Sequence, residues 1–560
     1  MPAVQLPPTS SRRRVGAVVI TVLAGALVLL VLTAPDRLEE MHLSAFVRLP
    51  VEVIVFLALV LAIPPRWGRV RTALAVTAGL LLAVAAVFRV LDLGFLEALN
   101  RPFDPLIDWQ YAGSLVETVR GSAEGATGVL LLVAAGLLVL ALLVLVPLAV
   151  VRITRVAGEH RTQAVRLVAV LASLWLALGL LQVRTSAGAV SSGQIATYLY
   201  GQVARIPSEL RDQREFARAA ETDPLADTPG SDLFTALRGK DVLVVFVESY
   251  GRVAVEDSSV APGVDAVLAH STQRLTRDGL HARSAWLTSP TFGALSWLAH
   301  STLQSGLWVD SEQRYDHLVT SPRLTLSRLF ARAGWRTVAD VPANTRDWPQ
   351  GEFYGYDHVY DSRNVGYRGP RFGYPTMPDQ YTLDAFHRLE LAAHDRRPVM
   401  AEIDLVSSHA PWSRTPRMIP QASVGDGSAY DGMPETLPSE TDIWPDTDRV
   451  RAAYGDSIEY SLRALTAFLT SYADKDTVVV VLGDHQPATI VSGTDAGHDV
   501  PVSVIARDPA VTARISGWDW TDGLRPAHDA PVWRMDAFRD RFVAAYGPGG
   551  DTGTSPGGSD

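Results

Sequence analysis

The chain has 560 residues, a net charge of −10 and no cysteine. Its length exceeds what one compact core holds, the missing cysteines exclude disulfides, thiolate metal sites and a cysteine nucleophile, and the acidic balance excludes a nucleic-acid binder, which needs a basic surface to displace counterions from phosphates. A mean hydropathy of +0.12 averages an N-terminal third of long apolar runs with a remainder of mixed charge, which is the composition of a membrane protein carrying a globular domain.

Five N-terminal stretches are predicted to cross a bilayer, which takes about 20 apolar residues at helical rise: 15–34, 49–63, 72–90, 128–151 and 164–183. The second is the shortest, interrupted by Glu52 and closed by Pro64 and Pro65, and its alternative is a re-entrant or interfacial segment. The first has the basic start and apolar middle of a signal peptide. It runs on into LTAPDRLEE without a small-x-small cleavage site, so an uncleaved helix is the better reading.

Loop charges set the orientation, because Lys and Arg stay on the cytoplasmic side. Arg12, Arg13 and Arg14 precede the first stretch, Arg66, Arg69 and Arg71 follow the second, and Arg152, Arg155, Arg161 and Arg166 separate the fourth from the fifth. The alternate loops are acidic, with Asp36, Glu39 and Glu40 in one and Asp92, Glu97, Asp104, Asp108, Glu117 and Glu124 in the other. Five crossings with the N-terminus inside place everything after about residue 183 outside the plasma membrane.

Residues 184–235 turn polar. The periodic apolar residues of IPSELRDQREFARAAETD predict a juxtamembrane helix, and DPLADTPGSD reads as a linker. Residues 547–560, GPGGDTGTSPGGSD, have nothing to bury and read as a disordered tail. Between these limits, residues 236–546 alternate strands with helix-length segments. DVLVVFVES, PVMAEIDLVSSH and TVVVVLGDH are apolar runs of the kind covered on both faces, whereas VDAVLAHSTQRLTRDG, RLTLSRLFARAG and RVRAAYGDSIEYSLRALTAFLTSY have helical spacing. The expected fold is a five-helix transmembrane region followed by an α/β domain with a mainly parallel central sheet flanked by helices.

Ligands of such sheets bind beyond the carboxyl ends of the strands. Three predicted strands end there in polar groups: Glu248 after VFV, Asp484 and His485 after VVLG, and His409 after DLVSS. Two carboxylates and an imidazole suit a divalent cation, and Gly483 lets the backbone turn beside the Asp-His pair. Each residue alone is as well read as a helix cap, turn former or surface ion pair. The stretch SPTFGALSWLAHSTLQSG offers the hydroxyls of Ser289, Thr291 and Ser296 for a cation to activate. Thr291, after Pro290 and ahead of a helical segment, is the chosen nucleophile, near N–H groups that favour a phosphate; its alternative is a helix cap.

The motifs VFVESYGR, SPTFGALSWLAHSTL, SSHAPW and VVLGDHQP, in this order, resemble the sulfatase-like branch of the alkaline phosphatase superfamily, and most closely its lipoteichoic acid synthases and lipid A phosphoethanolamine transferases. The resemblance implies five membrane spans followed by an outward-facing catalytic domain, with Glu248, Thr291, Asp484 and His485 on one divalent cation, Mn²⁺ or Zn²⁺, and Thr291 as acceptor of the transferred group. It further implies substrate-phosphate contacts from His409 and His498, the latter otherwise a turn residue before PVSVIARD. Arg346 and Trp348, in ANTRDWPQGEFYGYDHVYD, are head-group contacts by the same resemblance, with core packing the alternative for the tryptophan. The neighbours of Thr291 differ from the family pattern, which keeps Ser296 beside it as nucleophile.

The implied activity is transfer of a phosphoglycerol or phosphoethanolamine head group from a membrane phospholipid to a cell-envelope polymer or glycolipid. The same fold also serves phosphodiester or sulfate ester hydrolases and catalytically silent envelope-binding proteins. A formylglycine sulfatase needs a C/S-x-P-x-R motif. SPTFG has its proline one place early and no arginine.

Overall fold

The computed structural model describes all residues except 1–8, 36, 38–40, 106, 111–125, 186–187, 394 and 549–560. Asp36, Glu39, Glu40, Glu117, Glu124 and nearly all of the Gly-rich tail lie outside the described residues. The chain divides into two units, Met1–Glu97 with Arg101–Asp212, and Ala98–Asn100 with Gln213–Asp560.

The first unit is helical: α1 (Thr9–Thr33), α2 (Val51–Ala62), α3 (Gly68–Leu99), α4 (Ala126–Glu159) and α5 (Arg161–Leu180). Small residues bring its helices together. A methyl group on Gly79 of α3 would lie 2.6 Å from the Pro147 Cα of α4, and Ala75, Ala83, Val146 and Ala149 are buried in the same cluster. Valine and leucine on the outer faces, such as Val18, Leu81, Leu137 and Leu174, are exposed, as lipid contact requires.

Four of these helices are long and apolar enough to cross a membrane, rather than the five expected. The difference is α2. Pro50 sets its N-terminus and the chain turns extended at Ile63 before Pro64, leaving 12 helical residues. At helical rise these span about 18 Å, short of the roughly 30 Å hydrocarbon layer. Helix α6 (Gln194–Ala220) follows in the polar region, with Pro207 inside it, and its last turns belong to the second unit. There Phe216 and Ala220 are buried with Leu298, Tyr315 and Tyr354.

The second unit is built on a nine-stranded sheet. Its strands are β1 (Asp241–Val247), β2 (His281–Thr288), β3 (Arg336–Val341), β4 (His358–Asp361), β5 (Val399–Leu405), β6 (Thr477–Gly483), β7 (Asp499–Ala506), β8 (Thr521–Asp522) and β9 (Val532–Arg534). The order is β8-β2-β7-β6-β1-β5-β3-β4, with β9 also on β2. Strands β6, β1, β5, β3 and β4 are mutually parallel. Strand β7 is antiparallel to both β6 and β2, and β8 is antiparallel to β2. The sheet is therefore mixed, with the mainly parallel arrangement expected and β7 and β8 running against the other strands.

Every residue of β1 and β6 is buried, as strands covered on both faces must be. Helices α7 (Ala261–Arg277) and α9 (Thr447–Tyr472) cover one face. Leu268 of α7, Leu462 of α9 and Val481 of β6 line one small cavity there, and Thr466 joins Ser271 across the two helices at 2.9 Å. Helix α8 (Ser296–Ser305) covers the other face, where His300 stacks on Phe246 of β1 at 3.8 Å.

Two sites in the sheet carry a cost that substitutions expose. Gly483 ends β6 where the Tyr250 carbonyl oxygen would lie 1.9 Å from an added Cβ. Backbone on both sides leaves no room to yield, so Gly483→Ala is expected to destabilise the second unit by about 2 kcal/mol or more, as overpacking does, with a lowered Tm as the readout. Asp340 of β3 is 1% exposed and neither carboxylate oxygen has a hydrogen-bond partner. Burial, with the nearby Asp404 and Asp361, raises its pKa well above the usual range. A carboxyl whose folded pKa is raised weakens the fold as pH climbs above the unfolded value of about 3.9. Asp340→Asn is expected to raise the Tm at pH 7.5, by the equivalent of about 1–3 kcal/mol, with the gain shrinking towards pH 4.

Candidate active site

The register of the central strands assembles the site. Val247 lies opposite Gly483, so the next residues, Glu248 and Asp484, leave adjacent parallel strands side by side, with His485 following. Their ligand atoms lie within 4.8 Å of one another, and the three residues are 8%, 1% and 0% exposed. His485 Nε2 is 3.3 Å from Glu248 Oε1 and 3.8 Å from Asp484 Oδ2. The other ring nitrogen, Nδ1, is 2.8 Å from the Gln486 carbonyl oxygen, which as an acceptor requires a proton on Nδ1, so Nε2 is the ring nitrogen that faces the carboxylates.

Backbone and hydroxyl donors hold the carboxylates. The Ser249 and His485 amides both donate to Asp484 Oδ1 at 2.7 Å, and Ser249 Oγ donates to Glu248 Oε1 at 2.9 Å. Ser249 takes φ +56° to do so, and Tyr454 of α9 steadies it by donating to its carbonyl at 2.9 Å. Ser408, just past β5, donates to the Glu248 carbonyl at 2.6 Å.

The charges are strongly coupled. Burial opposes ionisation of Glu248, yet the His409 and His485 imidazoles and a hydrogen bond from His485 hold its carboxyl below the usual range. Burial and the Glu248 charge push Asp484 up to about 7. Burial lowers the pKa of His485, but the two carboxylates outweigh it and raise the imidazole to about 9. Among the described residues neither carboxylate has an Arg or Lys partner; histidine is their only ion-pair partner. Two buried carboxylates beside one imidazole, all unprotected by a basic side chain, form a donor set that a divalent cation fits.

The hydroxyls divide clearly. Ser289 Oγ donates to the Asp484 carbonyl at 2.5 Å, and Thr291 Oγ1 donates to the Ala294 carbonyl at 2.6 Å, so both brace the loop ahead of α8. That loop runs beside the strand end, with Phe292 bridged to Gln486, and it turns through Gly293 and Leu295 at φ +73° and +69°. These left-handed residues delay the helix until Ser296. Ser296 Oγ donates to Glu248 Oε2 at 2.9 Å and lies 3.2 Å from His485 Nε2.

His409 stacks on Tyr374 at 3.6 Å, with its Nδ1 2.5 Å from the Ala410 carbonyl oxygen, and its charge acts on Glu248. His498 accepts the Ser289 amide with its carbonyl at 2.9 Å, and its ring faces Phe292 at 5.4 Å. Burial lowers its pKa. Trp348 packs with Leu298, Tyr315 and Tyr354, its ring 5.2 Å from that of Tyr354, and Arg346 is exposed on the turn before it.

Three further residues adjoin the site that sequence reasoning passed over. His300, one turn after Ser296, meets Glu402 and Asp404 of β5 in a second cluster of potential metal ligands. The polar alternation of Glu402 and Asp404 within the run AEID, and the four-residue spacing from Ser296 to His300, were the available signals.

Residues 240–503 match the sulfatase family model. No curated protein sequence matches the chain. Among solved structures, the lipoteichoic acid synthase LtaP from Listeria monocytogenes is 13% identical with a TM-score of 0.36, over 61% of this chain and 79% of its own. The C-terminal periplasmic domain of EptC from Escherichia coli, in complex with Zn, is 13% identical with a TM-score of 0.36, over 55% and 82%. The phosphoglycerol transferase GacH from Streptococcus pyogenes, in complex with sn-glycerol-1-phosphate, is 15% identical with a TM-score of 0.35, over 61% and 80%. The strand-end carboxylates and histidine lie within the region, residues 240–503, that matches the sulfatase family model.

Proposed function

We propose that this protein is a membrane-anchored, metal-dependent transferase that moves a phosphate-linked head group from a phospholipid to a cell-envelope acceptor through a covalent intermediate on Ser296. The observation that carries this reading is the contact of Ser296 Oγ with both Glu248 and His485. Thr291 was the nucleophile expected from the motif, but its hydroxyl is committed to the Ala294 carbonyl, so Ser296 takes its place in the proposal. Head-group class and acceptor rest on the sequence motifs.

Glu248, Asp484 and His485 would hold the cation, which when bound supplies positive charge to a developing alkoxide and to the phosphate. Ser296 Oγ loses its proton to solvent and forms the new P–O bond while the bond to the diacylglycerol oxygen breaks. That oxygen takes up a proton. A second hydroxyl then displaces Ser296 and regenerates it. Ser296 opens α8, whose first N–H groups face an incoming anion, and His409, which acts on Glu248, supplies a further polar contact. Membrane anchorage raises the effective concentration of a lipid donor.

The purified full chain, incubated with labelled glycerophospholipids and Mn²⁺ or Zn²⁺, is expected to gain a head-group adduct on Ser296 by mass spectrometry. Ser296→Ala, Glu248→Ala and chelation should each abolish it, and Thr291→Ala should leave it. An adduct that survives Ser296→Ala and is lost in Thr291→Ala would return the nucleophile to Thr291. Transfer to water alone would make the protein a hydrolase, and no adduct with any lipid would favour a binding role.

The proposal places the region that matches the sulfatase family model, residues 240–503, on the outer side of the membrane. The cysteine-free sequence makes this easy to check. Ser423→Cys, at an exposed position, is expected to react with an impermeant maleimide on intact cells, whereas labelling only after lysis would put the domain inside.

A further inference from the structure

His300, Glu402 and Asp404 lie behind the nucleophile that the proposed function assigns, and their arrangement answers a question the site leaves open: what holds Ser296 in place. His300 Nδ1 is 3.1 Å from Glu402 Oε1 and 3.6 Å from Asp404 Oδ1. Its ring lies flat on Phe246, centroids 3.8 Å apart and planes inclined by 15°. Phe246 is two residues before Glu248 on β1, and Asp404 is its register partner on β5. One imidazole thus ties α8 to the two strands that carry Glu248 and His409.

The cluster contains the residue types of a metal site, but its hydrogen bonds favour a clamp. Glu402 is 2% exposed. It receives Gln304 Nε2 at 2.5 Å and Tyr356 OH at 2.8 Å on Oε2, besides His300 on Oε1. Gln304 lies on α8 two turns beyond Ser296 and one beyond His300, so Glu402 grips the same face of the helix twice. Both Glu402 oxygens are thus engaged by donors from α8, one by His300 and the other by Gln304 together with Tyr356.

We propose that His300 is a positioning residue, and that its contacts with Glu402, Asp404 and Phe246 set the first turn of α8 so that Ser296 Oγ meets Glu248 and His485. Residues four apart on a helix lie one above the other on the same face, so a shift of His300 is transmitted directly to Ser296. Leu295, at φ +69°, precedes Ser296 without a side-chain cap on the helix. The helix start therefore depends on what its next turn touches. Burial lowers the pKa of His300, but Asp404 and Glu402 outweigh it and raise the imidazole to about 9, so the clamp is an ion pair at neutral pH.

The inference rests on Ser296 being the nucleophile, and its test separates the two. In the full chain loaded with Mn²⁺ or Zn²⁺, His300→Gln is expected to slow first-order formation of the Ser296 adduct about 100-fold, the scale of a 1 Å misplacement, with the donor concentration at half-saturation little changed. His300→Arg, which can keep the ion pair, should recover much of that rate, and Glu402→Gln should mimic His300→Gln. Metal content measured on each variant should stay that of the wild type. A crystal structure of His300→Gln should show Ser296 Oγ out of hydrogen-bonding reach of Glu248. An unchanged adduct rate, an unchanged Ser296–Glu248 contact, or loss of one metal equivalent in Glu402→Gln would each overturn the proposal, the last by showing a second cation site. If the wild type forms no adduct on Ser296, the assigned nucleophile fails, and the His300→Gln structure still decides whether His300 positions that turn.

Discussion

Two carboxylates forced together at the ends of adjacent strands are the constraint from which the rest of the second unit follows. The register that pairs Val247 with Gly483 leaves Glu248 and Asp484 no choice but to share one buried space, and among the described residues the pair has no basic partner besides imidazole. Such an arrangement is unstable on its own account, because two like charges out of water repel and are poorly solvated. It persists because β1 and β6 are buried along their whole length, so the strand ends are fixed by a core much larger than the site. The sheet supplies the stability, and the site uses it to hold charges that a cation would compensate.

Around that pair the chain uses local backbone devices rather than additional bulk. Ser249 and Leu295 both take left-handed conformations, which cost free energy for residues with a Cβ and therefore mark places where the surroundings dictate the backbone. At Ser249 the return is an amide directed at Asp484. At Leu295 it is a helix that begins at Ser296 and not at Thr291, which turns one hydroxyl into a loop brace and brings the other to the carboxylates. Five residues of loop thus decide which hydroxyl meets the site.

This is also where the sequence was least legible. The strand-end carboxylates and Asp484-His485 were readable because a run of buried β-branched residues followed at once by acidic and imidazole groups is a pattern that composition alone exposes. The contact of Ser296 with Glu248 was not, because it depends on the φ angles of Gly293 and Leu295, and leucine carries no warning of a left-handed conformation. The reversed direction of β7 and β8 was hidden for a similar reason, since burial fixes which residues are apolar but not which way the chain runs. The 12-residue length of α2 was foreshadowed by Pro64 and Pro65, but an apolar run that begins at Leu49 reads longer than the helix that Pro50 allows to start.

Glu402 and Asp404 show how far a hydrophobic pattern can mislead in the opposite sense. In the run VMAEIDL they look like interruptions of a buried strand, yet Glu402 is buried and Asp404 largely so, and desolvation drives the Asp404 pKa up to about 8. Two carboxylates then follow the ends of β1 and β6 and two lie within β5, and His485 and His300 take the two pairs separately. An imidazole within each pair keeps the like charges in two groups rather than one. A cation at the first group would add to that separation, because Asp484 acts electrostatically on His300 as well as on His485. The two clusters therefore share one electrostatic balance, and the helix that bears Ser296 and His300 is the element that links them.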